Sequence, residues 1–205
     1  GHDLRVSAIT RASQHLLANL GVWDAITSDR ATAYRHMRVW DRGGVGEIHF
    51  DAADLAEPDL GHIIENRVMV RALWQALGDT AAERIVGRVI QSQDCDEEGV
   101  RLTLDDGAVL AAGLLVGADG AGSQVRERAG ITVRRREYDQ HAVVATVQAE
   151  FGNARTAWQR FMPEGPLALL PIGERLCSIV WSTTPDQAAR LVDIDDDVFS
   201  SELSE

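Results

Sequence analysis

Lysine is absent from this chain of 205 residues: all 20 of its basic residues are arginine. That absence excludes a lysine Schiff base, and with it pyridoxal-phosphate chemistry. It also excludes the lysine of a phosphate-binding P-loop. Cysteine is nearly absent. Cys95 and Cys177 are the two present, too few and too far apart for a disulfide framework or a cysteine metal cluster. They read as incidental thiols. No run of about 18 apolar residues occurs, so the sequence offers no membrane-spanning helix. Positive charge is outnumbered, 20 arginines against 32 acidic residues for a net charge of −12, which argues against nucleic acid as a partner. No signal-peptide pattern opens the chain. It starts on Gly1 instead of methionine and so reads as cut at its N-terminus.

What is present is ordinary for a globular protein: 45% hydrophobic and 25% charged residues, enough for one or two domains with a real core. The charge is uneven. Residues 186–205 carry seven acids and one arginine. The cluster Asp193, Asp195, Asp196 and Asp197 lacks the glycine and the distal glutamate of a calcium loop, so it reads as a solvated helix start.

Along the chain, Leu16, Leu17, Leu20 and Trp23 recur at helical spacing within residues 13–27, with Ser13 as the expected cap. Val39 and Trp40, then Ile48 and Phe50, flank a turn over Asp41–Gly46 and predict a hairpin. The glycines of that turn open no helix, so they form no phosphate loop. Residues 66–77 predict a second amphipathic helix ending at Gly78, with Trp74 in its core stripe beside Val70 and Leu77. His62 precedes a buried-looking strand and reads as a satisfied structural histidine. Runs at 84–93, 99–105 and 108–112 predict an antiparallel meander, with a strong hairpin signal at Asp105-Asp106-Gly107. An apolar run at 113–117 then leads into a glycine-bearing turn and a helix near Ser123. Four more strands are expected at 141–149, 158–162, 167–171 and 175–183, followed by a helix from Pro185. The expected class is mixed α/β, a nucleotide-binding domain interleaved with a sheet-rich second domain.

The most specific stretch is Gly117-Ala118-Asp119-Gly120-Ala121-Gly122-Ser123-Gln124-Val125-Arg126. Its small residues let backbone approach a bulky ligand closely. Asp119 can accept from a ligand hydroxyl or fix the turn. Ser123 can cap the next helix, whose amides would then face an anion. Arg126 can reach a phosphate or carboxylate. Physics alone leaves a ligand-binding turn and a plain glycine-rich strand–helix turn equally open.

This stretch resembles the Asp-Gly motif of flavin-dependent aromatic hydroxylases of the para-hydroxybenzoate hydroxylase type. Further segments resemble the ubiquinone-biosynthesis branch of that family: Leu4–Ile9, Leu20–Trp23, Met37–Asp41, Gly61–Asn66, Ala72–Gln75 and Leu176–Ser182. The likeness runs from residue 4 to about 190 and is strongest to the branch that hydroxylates carbon 5 of a polyprenyl phenol. It implies a Rossmann-like FAD/NAD(P)-binding domain, incomplete here, over 1–33 and 61–136. A β-sheet-rich substrate domain is implied over 34–60 and 137–205.

The resemblance also implies FAD as cofactor, NAD(P)H as reductant, and O₂ and a polyprenyl phenol as substrates. Arg5 matches the arginine that lies over FAD in this class. Asn66 and Arg67 begin the helix that reaches toward the cofactor, and the resemblance does not choose between them. The implied cofactor-binding set is Arg5, Asn66, Gly117, Asp119, Gly120, Ser123 and Arg126. No catalytic side chain and no metal ligand is expected, because the cofactor carries the hard chemistry. The family's opening Gly-x-Gly-x-x-Gly unit and a later flavin-contacting segment are missing, so the chain reads as a fragment that does not retain FAD alone. The alternatives are another phenol or salicylate hydroxylase, and a non-catalytic α/β scaffold. A cytoplasmic protein is expected, peripheral to the inner membrane through other ubiquinone-biosynthesis proteins. Ala142–Val147 and Leu167–Leu170 are the expected walls of an apolar pocket.

Overall fold

A computed structural model describes residues 3–204. Contacts divide the chain into two compact units, residues 1–81 with 138–205, and residues 82–137.

In the first unit, β1 (Val6–Thr10), β5 (Gly61–Glu65) and β2 (Ala31–Tyr34) form an antiparallel sheet with β5 in the centre. Three helices belong with it: α1 (Arg11–Asn19), α2 (Trp23–Asp29) and α3 (Asn66–Gly78). The single helical run expected over 13–27 is two helices. Gly21 adopts φ +72°, the left-handed conformation that ends α1 at little steric cost. The cap is Thr10, whose hydroxyl accepts from Ser13 N at 3.3 Å, so Ser13 is inside the helix. Leu17, Val22, Ile26, Ile64, Val68 and Ala72 make the core between these elements. Ile26 and Ile64 are fully buried, each stabilising the fold by roughly 1.5–3 kcal/mol.

Trp74 is not in that core. On α3 the i, i+4 pair Val68 and Ala72 faces inward, and Val70 and Trp74 lie about 200° round the helix from them. Trp74 is therefore 49% exposed and Val70 63%.

The second sheet of this unit has six strands in the order β4 (Glu47–Asp51), β3 (His36–Asp41), β10 (Thr156–Met162), β11 (Gly165–Pro171), β12 (Leu176–Thr183) and β9 (His141–Gln148). Every neighbouring pair is antiparallel except β3 with β10, which runs parallel from His36↔Thr156 to Asp41↔Phe161. The β3–β4 hairpin forms around the Asp41–Gly46 turn as the alternation predicts, and Asp51 at its end caps a short 3-10 helix, Ala52–Leu55. Val143 on β9 is buried under Ala188 and Leu191 of α5 (Pro185–Asp193), and Leu170 on β11 packs beside Tyr34, Ile63 and Ala157. Val143 and Leu170 belong to the core, while Leu167, at the other end of the second stretch, lines a cavity. A final helix, α6 (Asp196–Ser204), starts at the aspartate cluster.

The second unit holds the expected meander: β6 (Ile90–Asp96), β7 (Gly99–Leu104) and β8 (Val109–Ala112), in that order. Its first strand opens at Ile90 instead of near residue 84. The short α4 (Gln124–Arg128) follows. The apolar run 113–117 forms no strand. No ladder partner for it exists among the described residues, and Leu114 and Val116 remain 77% and 75% exposed.

Candidate cofactor-binding site

The predicted site residues fall into two groups, one in each unit. In the second unit the group is built around the carboxylate of Asp119. Its Oδ1 accepts from the Ser123 hydroxyl at 2.5 Å, and its Oδ2 accepts from Gln124 N at 2.8 Å and Val125 N at 3.2 Å. Ser123 Oγ accepts in turn from Arg126 N at 3.1 Å. The first three amides of α4 are therefore satisfied within the turn. The helix start that was expected to face an anion is filled by the protein's own carboxylate. Of the two roles open to Asp119, the structure displays turn fixing. The Ser123 hydroxyl first, then the Val125 amide, hold the Asp119 carboxyl below the usual carboxylate range.

Two glycines matter here for different reasons. Gly120 has φ +82°, which an L-residue adopts only with strain. Gly117 is needed for proximity, since a Cβ there would stand 2.9 Å from Val125 Cγ1. Arg126 reaches back to Ala121 O at 2.7 Å. It also lines a groove of about 410 Å³ together with Ser123, Glu127 and Arg135. Two guanidinium groups on one groove suit phosphate oxygens. Arg135 was not singled out from sequence, although its run of three arginines, Arg134–Arg136, was a visible signal.

In the first unit the β1–β5 ladder sets Arg5 beside Asn66. Asn66 N donates to Arg5 O at 2.9 Å, and Ser7 Oγ donates to Asn66 Oδ1 at 2.7 Å. Arg5 itself is exposed. Behind them stands Glu65, only 3% exposed, which sequence reasoning missed. Its Oε2 accepts from Asp3 N and Arg67 Nε, both at 2.8 Å, and its Oε1 lies 3.4 Å from Arg30 Nη1. Asp3 in turn accepts from Arg5 N and Arg67 N. A buried acid thus pins the start of α3 to the segment that leads into β1 and carries Arg5.

His62 is structural, as expected, but incompletely satisfied. Its ring meets Trp23 edge-on at 5.0 Å, and its Nδ1 lies 3.7 Å from Asp59 Oδ1 without a hydrogen bond. Burial pushes its pKa down, opposed by Asp59 and assisted by Arg11. A cavity of about 700 Å³ in this unit is lined by Arg42, Arg160, Glu164, Leu167, Trp181 and Glu202 among others. That lining is too charged for the apolar chamber expected around a phenol. No helix of the described residues is long and apolar enough to cross a membrane.

The mixed α/β architecture places the chain in the fold of the para-hydroxybenzoate hydroxylase-like flavoprotein monooxygenases. It matches PqsL of Pseudomonas aeruginosa with a TM-score of 0.76 at 23% identity, covering 93% of this chain and 52% of that one. It matches p-nitrophenol 4-monooxygenase PnpA of Pseudomonas putida with a TM-score of 0.73 at 20% identity, covering 99% and 52%. The chain belongs to the FAD binding domain family, whose model matches residues 3–205. Among curated relatives it is 41% identical over 191 residues to the 3-demethoxyubiquinol 3-hydroxylase of Escherichia coli, covering 92% of this chain and 48% of that protein. It is also 41% identical over 209 residues to the mitochondrial ubiquinone biosynthesis monooxygenase COQ6 of Mus musculus, covering 95% and 43%. To the ubiquinone hydroxylase UbiL of Rhodospirillum rubrum it is 36% identical over 204 residues, covering 99% and 47%. The chain thus spans about half the length of the curated relatives it matches.

Proposed function

We propose that this chain is part of a flavin-dependent aromatic-ring monooxygenase that hydroxylates a polyprenyl phenol in ubiquinone biosynthesis, with FAD as cofactor, NAD(P)H as reductant and O₂ as co-substrate. The observation that carries the reading is the 41% identity over 191 residues to the 3-demethoxyubiquinol 3-hydroxylase of Escherichia coli. In this reading residues 1–33 and 61–136 belong to the FAD-binding domain, and 34–60 and 137–205 to the substrate domain. FAD, when bound, supplies the redox and oxygen-activating chemistry. The chain's own residues bind and orient. Arg5 and Arg126 face phosphate oxygens, with Arg135 beside the latter. Gly117 seats the turn against Val125 and Gly120 supplies its left-handed bend, Asp119 and Ser123 hold that turn rigid, and Asn66 opens the helix next to Arg5. Within the second unit, two guanidinium groups share one groove, which suits the phosphate oxygens of a dinucleotide.

The protein works in the cytoplasm, peripheral to the inner membrane. The net charge of −12 on this chain opposes docking of this region on anionic headgroups, which favours presentation of the bilayer-resident phenol by other ubiquinone-biosynthesis proteins. The test is expression of the protein carrying this chain in an Escherichia coli strain that lacks the 3-demethoxyubiquinol 3-hydroxylase. Restored ubiquinone is the expected result, with Asp119→Ala losing both flavin and restoration. A flavin-loaded protein that restores nothing points to another phenol or salicylate as substrate. A protein that never takes up flavin points to a scaffold module.

A further inference from the structure

Apart from the residues assigned to the cofactor, three ligating side chains meet at the open edge of the six-stranded sheet. Their spacing in sequence matches no metal motif, and it is the hairpin that gathers them. The β3–β4 register sets His36 opposite Asp51 and Arg38 opposite His49, so His36, His49 and Asp51 share one face. One ligand atom from each lies within 4.8 Å of the other two. The two imidazoles stack with centroids 5.6 Å apart and planes at 27°.

His36 Nδ1 lies 3.3 Å from Asp51 Oδ2. That nitrogen is shut off from solvent and makes no hydrogen bond, so the approach lacks hydrogen-bond alignment. A separation of about 3.3 Å is the ligand–ligand edge of a tetrahedral site with bonds of about 2.0–2.1 Å. Asp51 is already oriented. Its Oδ1 accepts from Ala53 N at 2.9 Å, which leaves Oδ2 toward the imidazoles. The nearby cation Arg38 is occupied elsewhere: it pairs with Glu47 at 3.4 Å and lies 5.5 Å over the Trp158 ring. His49 is exposed and leaves the site open on one side.

We propose that His36, His49 and Asp51 form a site for a divalent transition metal of the zinc and nickel class, with solvent completing the coordination. Two imidazole nitrogens and one carboxylate suit these borderline ions better than calcium or magnesium. The bound ion ties edge strand β4 to β3 and to the capped 3-10 helix. This inference is independent of the flavin reading.

The test is titration of the protein carrying this chain with Zn²⁺ alone, in a non-chelating buffer at about pH 7.5, followed by calorimetry and thermal unfolding. One ion per chain and a raised unfolding midpoint are expected. His49→Ala, at an exposed position where folding is safe, and Asp51→Asn each weaken binding at least about tenfold. His2→Ala, His15→Ala and His141→Ala leave it unchanged. A wild-type protein that takes up no Zn²⁺, or a His49→Ala/Asp51→Asn double variant that binds as well as wild type, overturns the proposal.

Discussion

Replacing Glu65 by glutamine removes one charge at almost constant volume, and its cost can be worked from the geometry. Glu65 Oε2 accepts two bonds at 2.8 Å, from Asp3 N and Arg67 Nε. A bond to a charged group contributes about 1.5–3 kcal/mol and a neutral one about 0.5–1.5, so each loses roughly 1 kcal/mol. Arg30, 3.4 Å away and 41% exposed, adds a few tenths at most after solvent screening. The new amide group would also face the Arg30 guanidinium donor to donor. The total is roughly 2–3 kcal/mol, a midpoint drop of about 4–12 °C for a protein of this size. Thermal and urea unfolding measure it. A flavin titration adds the functional half: if Glu65 holds Arg5 and Asn66 in register, FAD affinity falls along with stability. An unchanged midpoint would mean that water replaces the carboxylate for Asp3 and Arg67. A lowered midpoint with full FAD affinity would mean that this acid supports the fold and not the proposed site.

Gly117→Ala sets a methyl 2.9 Å from Val125 Cγ1 and should destabilise the second unit by roughly 1–3 kcal/mol through overpacking. Adding Val125→Ala should recover most of that in urea unfolding, and a neutral single variant would refute the packing argument. For His62, burial favours the neutral ring in the fold. Its stabilising contribution is therefore complete above the ordinary value of 6.5 and is lost as pH falls from there through the lower folded pKa. Stability measured from about pH 7.5 down to 5 should fall more steeply in wild type than in His62→Gln, and parallel slopes would remove His62 from the account. In the full-length protein that carries this chain, Arg5→Ala should weaken FAD binding roughly tenfold, with Arg5→Lys between the two because an ammonium lacks the planar fork. Equal affinities in titrations of the three proteins would make Arg5 a surface charge only.

The parts of the fold visible in sequence are those set by neighbours along the chain. Asp105-Asp106-Gly107 announces its hairpin, Ser123 its helix, and Val39, Trp40, Ile48 and Phe50 the β3–β4 pair, because turn chemistry and period-two alternation act over a few residues. Val6–Thr10 is different. It is a strand only because Gly61–Glu65 runs beside it, and nothing within the five residues declares a partner so far along the chain. Gly21 hides the same kind of ambiguity, since a glycine inside a helical pattern can be tolerated or can end the helix. In the site, the Ser123 cap was legible and the self-capping by Asp119 only half so, because one carboxylate can serve a turn or a ligand. Glu65 was illegible for the same reason as β1. A buried acid is tolerable only with its partners, and Asp3 and Arg30 come from distant segments.

The parallel pairing of β3 with β10 has a consequence for biosynthesis. A ribosome delivers β3 and β4 early, then the whole of residues 82–137, and only later β10. Until β10 emerges, one edge of β3 carries a row of unmatched amides and carbonyls, and a two-stranded hairpin is marginal on its own. The contiguous meander, with its local contacts, can be complete by then. The nascent chain therefore passes through an interval with one finished unit and one sticky edge, the stage at which chaperones are most needed. Arresting synthesis before Thr156 leaves that edge permanently open. The product is an aggregation-prone chain, not a smaller folded protein.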